Sequence, residues 1–89
     1  MKRLHLTVMG KVQGVFFRAN AKKKAIELGL TGWVKNVNDD IEIVAEGNEK
    51  RLEEFLEWCK KGPAGARVEF IQMENEKYTG ECKKFEVRY

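Results

Sequence analysis

The sequence predicts an α+β fold in which strands and helices alternate in the order β-α-β-β-α-β. Two stretches place apolar residues at helical spacing, and the runs between them alternate apolar with polar residues, as half-buried strands do. The chain has 89 residues, and dividing it would leave neither half a useful core. We therefore expect one domain, residues 1–89.

The first half of the chain predicts a strand, a glycine-containing loop and a helix. Alternation of Leu4, Leu6 and Val8 with polar residues indicates the strand. Residues 10–16, here called the glycine loop, follow it. The apolar period then becomes helical, and Gly29 is a natural stop for that helix. The apolar stripe consists of Phe17, Ala21, Ala25 and Leu28.

The middle of the chain predicts a hairpin and a second helix. Residues 33–37 and 41–46 read as strands, and Asn38, Asp39 and Asp40 join them with side chains that tolerate left-handed backbone. Asn48 suits the N-cap of a helix that ends at Gly62. The predicted apolar stripe of this helix is Leu52, Phe55, Leu56 and Cys59.

The remaining strand signals complete a layered architecture. Val68 and Phe70 begin one strand, and Phe85, Val87 and Tyr89 alternate in a last one. Two β-α-β units of this kind predict a ferredoxin-like α/β sandwich with a four-stranded, mostly antiparallel sheet and both helices on one face.

Composition limits the possible function classes. The net charge is +3, which favours an anionic ligand but is far from a strongly basic nucleic-acid footprint. No apolar run could span a bilayer and no charged-then-apolar leader is present, so a cytoplasmic location without membrane association is expected. Only Asp39 and Asp40 are aspartates, and the dominance of Lys and Glu suggests a protein from a hot habitat.

Cysteine and histidine give no metal or redox signal. Cys59 lies on the second helix stripe and reads as a buried small hydrophobe, while Cys82 is far from it in the chain. Zinc would need more ligands than these two and His5 supply, and a cytoplasmic disulfide is disfavoured. His5 lies in a strand without an evident partner, so we interpret it as a sheet-face residue rather than a base. We expect neither a metal nor a cofactor.

The glycine loop and the start of the first helix are the most informative stretch. A strand-loop-helix junction can turn backbone N–H groups toward an anion, and the helix terminus adds unpaired donors. Gly14 permits close approach of the backbone, and Arg18 offers a planar fork to two phosphate oxygens. The plainer alternative is a glycine turn followed by a surface arginine. No Walker motif is present, so nucleotide and magnesium are not implied.

A second informative residue is Asn36. By strand alternation it shares a face with Val34, and asparagine is depleted in strands. The alternative is an edge residue bonded to solvent. RNA binding is a weaker hypothesis: residues 14–17 are similar to an aromatic RNA-binding signature, but that signature belongs on a strand and this run opens a helix.

These stretches together resemble the acylphosphatase family. The run Gly-Lys-Val-Gln-Gly-Val-Phe-Phe-Arg, residues 10–18, matches one family signature, and Gly-Trp-Val-Lys-Asn, residues 32–36, matches another. Residues 62–68 and 85–89 are also similar, so the likeness covers the whole chain. The turn at 38–40 departs from the Asp-Gly that many relatives carry.

The resemblance implies an enzyme that hydrolyses acyl phosphates to a carboxylate and inorganic phosphate. It implies that Arg18 and backbone amides hold the phosphate and that Asn36 orients the attacking water. The loop residues concerned are Gln13, Gly14, Val15, Phe16 and Phe17. Inorganic phosphate and sulfate should compete, and a monomer is the default. The alternative is a non-catalytic anion-binding or accessory module, because domains of this type occur within larger maturation proteins.

The absence of a nucleophile and of a general base from both signatures fits a reactive substrate. Neither signature contains Asp, Glu, His or Cys, so no side chain there could form a phosphoenzyme or act as general base. Such a site can only position and neutralise, which is most of what phosphoryl transfer requires. A carboxylate leaving group, with a conjugate-acid pKa of about 4, needs no proton donor. Acyl phosphates are therefore favoured over phosphate esters.

Overall fold

The computed structural model describes residues 1–89 and contains five strands and two helices. The elements are β1 Lys2–Lys11, α1 Phe17–Glu27, β2 Thr31–Val37, β3 Asp40–Gly47, α2 Glu49–Lys61, β4 Arg67–Glu76 and β5 Phe85–Arg88. The predicted β-α-β-β-α-β order is confirmed and is followed by one further strand. No helix is long and apolar enough to cross a membrane.

All five strands belong to one sheet, with the spatial order β4-β1-β3-β2-β5. Neighbouring strands are antiparallel except β5, which runs parallel to β2 and pairs Val87 with Val34. The ferredoxin-like fold is confirmed, but the expected four-stranded sheet is wrong by one strand. Alternation indicated the last strand without giving its neighbour, because strand pairing depends on contacts remote in sequence.

Helix α1 begins directly after the glycine loop and packs through small residues. Ala21 and Ala25 are completely buried, and Phe17 at the first position is also buried, so the predicted stripe faces the sheet. Gly29 follows the helix with a φ of 71°, which a residue with a Cβ rarely adopts. The helix begins at Phe17, directly after the loop, so Arg18 lies in its first turn.

Helix α2 has the cap that its sequence predicts. The Asn48 side-chain oxygen accepts a hydrogen bond from the Lys50 N–H at 2.9 Å, and Gly62 ends the helix. Phe55 and Cys59 are buried, and Phe55 contacts Phe85 of β5 edge-to-face. Both helices pack on the sheet face that carries the main apolar core. Cys59 and Cys82 are free thiols.

The opposite face of the sheet is crossed by the segment 77–84, which connects β4 at one edge to β5 at the other. The side chain of Glu46 points to this face and is buried, where it accepts hydrogen bonds from the N–H groups of Thr79 and Gly80. Val44 on the same face is buried as well. Strand β3 is therefore buried on both sides, which its alternating sequence did not indicate.

Candidate active site

The glycine loop holds two residues with left-handed backbone. Strand β1 extends through Lys11, so residues 12–16 are the irregular part. Gly14 has a φ of 75° and Phe16 a φ of 58°. The Phe16 carbonyl oxygen accepts hydrogen bonds from the backbone N–H of Asn20 at 3.1 Å and from its side-chain amide at 2.9 Å. Asn20 thus fixes the turn that leads into the helix.

The backbone N–H groups of this turn lack partners within the protein. Residues 12–16 donate no backbone hydrogen bond, and the first turn of a helix has no intrahelical acceptor for its N–H groups. Phe16 is the N-cap residue of α1 and supplies no side-chain acceptor, and no acidic residue lies in the first turn. The loop and helix start therefore present unpaired donors and positive potential to an anion.

Strand β2 brings Asn36 to the same place. Val34 of this strand is fully buried on the helix side of the sheet. Asn36 is two residues further along and points to the same side. It lies beyond the edge of the core, so its side chain is exposed. The hairpin turn that follows is joined to the glycine loop, because the Gln13 side-chain amide donates hydrogen bonds to the carbonyl oxygens of Asn38 at 2.7 Å and Asp40 at 3.0 Å.

A cavity of about 390 Å³ lies where these elements meet. Arg18 and Asn36 both line it, as do the loop residues Gln13, Gly14, Phe16 and Phe17. Its remaining lining residues are Val12, Ala19, Ile41, Val87 and Tyr89. Of the residues predicted to bind phosphate, only Val15 is not in the lining. Its side chain packs against the core, which leaves its backbone N–H as the only group it could offer.

Arg18 is the one charged side chain in the cavity lining, and none of the eleven ion pairs of the protein involves it. Its guanidinium carbon instead lies 4.7 Å from the centroid of the Tyr89 ring. Stacking of this kind orients a guanidinium while leaving its N–H edge available for hydrogen bonds. The arrangement suits an incoming anion because no carboxylate competes for the fork.

Two contributions to the cavity were not predicted from the sequence. Tyr89 and Val87 were expected only as strand residues, since nothing in the sequence indicates that β5 pairs beside β2. For Gln13 only the backbone was expected to contribute, and not the bonds of its side chain to the hairpin. Alternation predicted that Val87 and Tyr89 share one face of a strand. It did not predict which strand lies beside them.

His5 lies on the opposite face of the sheet and has partners that the sequence did not reveal. Its Nδ1 is 3.0 Å from Glu76 and its Nε2 is 2.6 Å from Glu42. Burial lowers the pKa of the imidazole, but the bonds to Glu76 and Glu42 outweigh that effect and the pKa is raised. Only the doubly protonated ring can donate to both carboxylates. The prediction of a sheet-face histidine agrees with this position, remote from the cavity.

Glu46 organises the other end of that face. Burial raises the pKa of its carboxyl group, but hydrogen bonds from the Thr79 N–H and the Arg3 guanidinium outweigh burial and hold it below the usual range. Arg3 also bonds to Glu76 at 2.9 Å, and this bond, with the one from His5, lowers the pKa of Glu76. The network stabilises the segment 77–84 and does not contact the cavity.

No group of three His, Cys, Asp or Glu side chains is arranged to hold a metal ion. The fold and the cavity thus define an α+β sandwich protein whose cavity is lined by a loop with unpaired backbone N–H groups, one arginine and one asparagine. The acylphosphatase family model matches residues 4–87. The chain therefore belongs to the acylphosphatase family.

Individual relatives agree with this assignment. An acylphosphatase of Methylococcus capsulatus is 49% identical over 88 residues, which are 98% of this chain and 96% of that protein. The crystal structure of acylphosphatase from Bacillus subtilis superposes with a TM-score of 0.96 at 36% identity and covers both chains completely. Full-length HypF in its phosphate- and nucleotide-bound form matches with a TM-score of 0.92 at 29% identity, over 99% of this chain but only 12% of HypF.

Proposed function

We propose that this protein hydrolyses acyl phosphates by direct attack of a water molecule, with Arg18 and the loop N–H groups holding the phosphate and Asn36 orienting the water. Acyl phosphate hydrolysis is the activity of the family to which the chain belongs. The assignment of roles to residues rests on one observation above all: unpaired N–H groups, an arginine without an ion pair and an exposed asparagine line a single cavity.

The phosphate is expected to lie against the start of α1. The N–H groups of residues 13–17 and the guanidinium of Arg18 are hydrogen-bond donors that lack acceptors within the protein. A phosphate group would supply those acceptors. The same donors also neutralise charge on the equatorial oxygens as the transferred group passes through its transition state. Because these donors are fixed by the fold, they require little reorganisation during the reaction.

Asn36 is suited to position the nucleophile. Its side chain makes no hydrogen bond within the protein, so its amide oxygen and nitrogen are available to a water molecule. The water oxygen forms a bond to phosphorus while the bond from phosphorus to the carboxyl oxygen breaks. The electron pair of that bond leaves with the carboxylate, and the proton lost by the water passes to solvent. No side chain needs to act as a general base or acid.

Several further properties belong to the same proposal. The reaction should need no metal, since the cavity offers amides and a guanidinium rather than carboxylates. Inorganic phosphate and sulfate should bind competitively, because both present tetrahedral oxygens to the same donors. We also propose that the protein acts as a monomer in the cytoplasm. A thermophilic origin is supported by the network of Arg3 with Glu46, Glu76 and Glu81.

The second candidate function is phosphate binding without turnover. The observation in its favour is that this chain is similar to a small part of the much longer HypF. One experiment separates the two. Hydrolysis of acetyl phosphate is measured alongside a phosphate monoester, and phosphate binding is measured by calorimetry on the same preparation. We expect saturable hydrolysis of acetyl phosphate, none of the monoester, and competition by phosphate. Phosphate binding without turnover of any acyl phosphate would favour the module.

A further inference from the structure

A second cavity lies on the sheet face opposite the helices. Its volume is about 520 Å³, compared with about 390 Å³ for the candidate active site. Trp33 of β2 lines this second cavity, together with residues 81–84 and with Glu86 and Arg88 of β5. No residue lines both cavities, so the second is a separate feature of the molecule. Its size is typical of sites that bind small molecules.

The part of the segment 77–84 that borders the second cavity is attached to the sheet on both sides. The Gly80 N–H donates a hydrogen bond to the buried carboxylate of Glu46 at 3.2 Å. The Lys84 carbonyl oxygen accepts one from the Gly32 N–H at 3.0 Å. The cavity lies against the stretch between these two attachments. Its wall is therefore fixed by the fold, and a preformed site loses less entropy when it binds a ligand.

Trp33 provides an aromatic surface in the second cavity. Its indole is half-buried and points away from the helices, since its neighbour Val34 faces the core. The guanidinium carbon of Arg88 lies 4.9 Å from the centroid of the indole ring, and the Lys35 ammonium nitrogen lies 5.2 Å from it. Both side chains are flexible and exposed enough to move aside for a planar ring. The only aromatic ring beside the indole is that of His5, which approaches edge-on.

Cations outnumber carboxylates in the lining of the second cavity. The charged lining residues are Lys83, Lys84, Arg88, Glu81 and Glu86. Glu81 has a cationic partner outside the cavity, because its carboxylate lies 3.7 Å from Arg3. Glu86 pairs with Arg88 at 3.5 Å, and an ion pair between two half-exposed side chains is weak. Lys84 belongs to no ion pair. An anion would thus meet three cations and displace one weak pair.

We propose that the second cavity binds a small aromatic anion, a planar ring that carries a phosphate or a carboxylate. The ring stacks against Trp33, and the acid group lies among Lys83, Lys84 and Arg88. Nucleotides and aromatic carboxylic acids share this chemistry, and the test distinguishes between these two sources. The inference does not depend on the proposed function, because the second cavity contains neither Arg18 nor Asn36.

The test follows the indole N–H resonance of Trp33 by NMR during titration with four probes. AMP and nicotinate combine a ring with an acid group, adenosine lacks the acid group, and inorganic phosphate lacks the ring. Trp58, which packs against Phe17 and Phe55 on the other side of the sheet, is the internal reference. We expect a saturable shift of Trp33 with AMP or nicotinate, at an affinity about tenfold or more above those of adenosine and phosphate.

Each result of the titration either identifies the ligand source or overturns the proposal. Binding of AMP alone would assign the second cavity to nucleotides, and binding of nicotinate alone would assign it to aromatic carboxylic acids. The proposal would be overturned if neither probe shifted Trp33 saturably. It would equally be overturned if AMP bound no more tightly than adenosine, since the cations would then contribute nothing.

Variants assign the binding to residues. Lys84→Gln and Arg88→Gln each remove one cation from an exposed position, and each should weaken binding of the effective probe about threefold or more. Trp33→Leu should weaken it about tenfold by calorimetry, and the two charge variants test the proposal even if Trp33→Leu is too unstable to measure. Lys50→Gln, an exposed lysine of α2 without an ion pair, is the matched control and should have no effect. Unchanged affinity in both charge variants would refute the site.

A last variant separates the second cavity from the candidate active site. AMP carries a phosphate, so it could also bind at the start of α1. Arg18→Ala removes the cation of that site and should leave the response of Trp33 to the effective probe unchanged, because Arg18 does not line the second cavity. Loss of the Trp33 response in Arg18→Ala would show that the probe binds at the candidate active site and would overturn the proposal.

Discussion

The side-chain nitrogen of Gln13 lies 2.7 Å from the carbonyl oxygen of Asn38 and joins the glycine loop to the β2–β3 hairpin. The loop leads into the helix that carries Arg18, and the hairpin follows the strand that carries Asn36. The two side chains proposed to hold phosphate and water are thus connected by one short bridge. A second bond from Gln13 to the Asp40 carbonyl, at 3.0 Å, reinforces the connection.

Loss of this bridge should affect turnover more than phosphate binding. In Gln13→Ala the loop N–H groups remain, but the hairpin is free to shift relative to them, and small displacements of reacting groups are costly. We expect kcat for acetyl phosphate to fall about tenfold or more, with the inhibition constant of phosphate changed by about threefold at most. Gln72→Ala on the exposed side of β4 is the control. Equal weakening of both quantities would show that Gln13 contributes to binding directly.

Arg18 and Asn36 should differ in what their removal costs. The phosphate is charged when it binds, so Arg18→Ala should weaken phosphate binding and nearly abolish turnover, and Arg18→Lys should restore little because it lacks the planar fork. Asn36→Ala should keep phosphate affinity while kcat falls by about two to three orders of magnitude. Steady-state kinetics and phosphate titration on folded variants measure both. Near-normal kcat in Asn36→Ala would refute the role of Asn36.

Gly14→Ala tests the close approach of the backbone to the anion. A Cβ at this position would meet no protein atom within 4 Å, so it would point into open space rather than create a clash. Its cost in stability should be only the left-handed backbone, about 1–2 kcal/mol. We also expect phosphate to bind more weakly, because the added methyl group would prevent close approach of the phosphate to the loop backbone. Gly29→Ala, equally left-handed and equally free of close neighbours, should cost similar stability without changing phosphate affinity.

Hydrolysis should persist without divalent metal. No cluster of potential metal ligands occurs in the protein, and the cavity has no carboxylate. Metal-stripped protein assayed in excess chelator should match untreated protein in kcat and KM for acetyl phosphate. Activity that disappears on chelation and returns with magnesium or zinc would contradict the proposed chemistry.

The stability of the sheet face opposite the helices should depend on pH through two groups. The pKa of His5 is raised in the folded state, so its stabilising contribution is complete below the unfolded value, near 6.5, and is lost as pH rises through the folded value. The pKa of Glu46 is lowered, so its contribution is present above the unfolded value, near 4.5, and is lost as pH falls through the folded value.

Thermal unfolding measured as a function of pH checks both signs. The decrease in Tm above pH 6.5 should be smaller in His5→Gln than in the wild type, because the variant lacks the titrating ring. Glu46→Gln should be less stable by about 2–4 kcal/mol at neutral pH, since it disrupts a buried pair with Arg3. Catalytic parameters of His5→Gln should remain unchanged. An identical pH dependence of Tm in wild type and His5→Gln would contradict the linkage.

Local sequence features predicted the parts of the fold that local physics determines. Asn48 as a cap, Gly29 as a helix stop and the two apolar helix stripes follow from short-range bonds and spacing, and the structure confirms them. The neighbour of β5 and the burial of Glu46 depend on where the segment 77–84 crosses the sheet. Pairing between residues remote in the chain is not encoded in any local period.

The candidate site likewise combines features that depend on local sequence with features that depend on long-range pairing. The backbone conformation of the loop and its place before a helix are local properties, so the residues from Gln13 to Arg18 were predictable from type and order. The proximity of Asn36 to them was carried by the resemblance to a family and not by spacing. The contact of Tyr89 with Arg18 depends on the parallel β2–β5 pair, which no local pattern indicates.

The parallel pairing of β5 also governs how the molecule can be handled in an experiment. Tyr89, which follows β5, lies at the cavity, whereas β1 begins at Lys2, eight residues or roughly 26 Å of strand before the glycine loop. An affinity tag or fluorescent fusion appended after Tyr89 would emerge beside the entrance used by substrate. The same tag placed ahead of Met1 would emerge at the far end of the sheet. Kinetic work should therefore use amino-terminal tags, and a carboxy-terminal tag offers a simple way to obstruct the entrance deliberately.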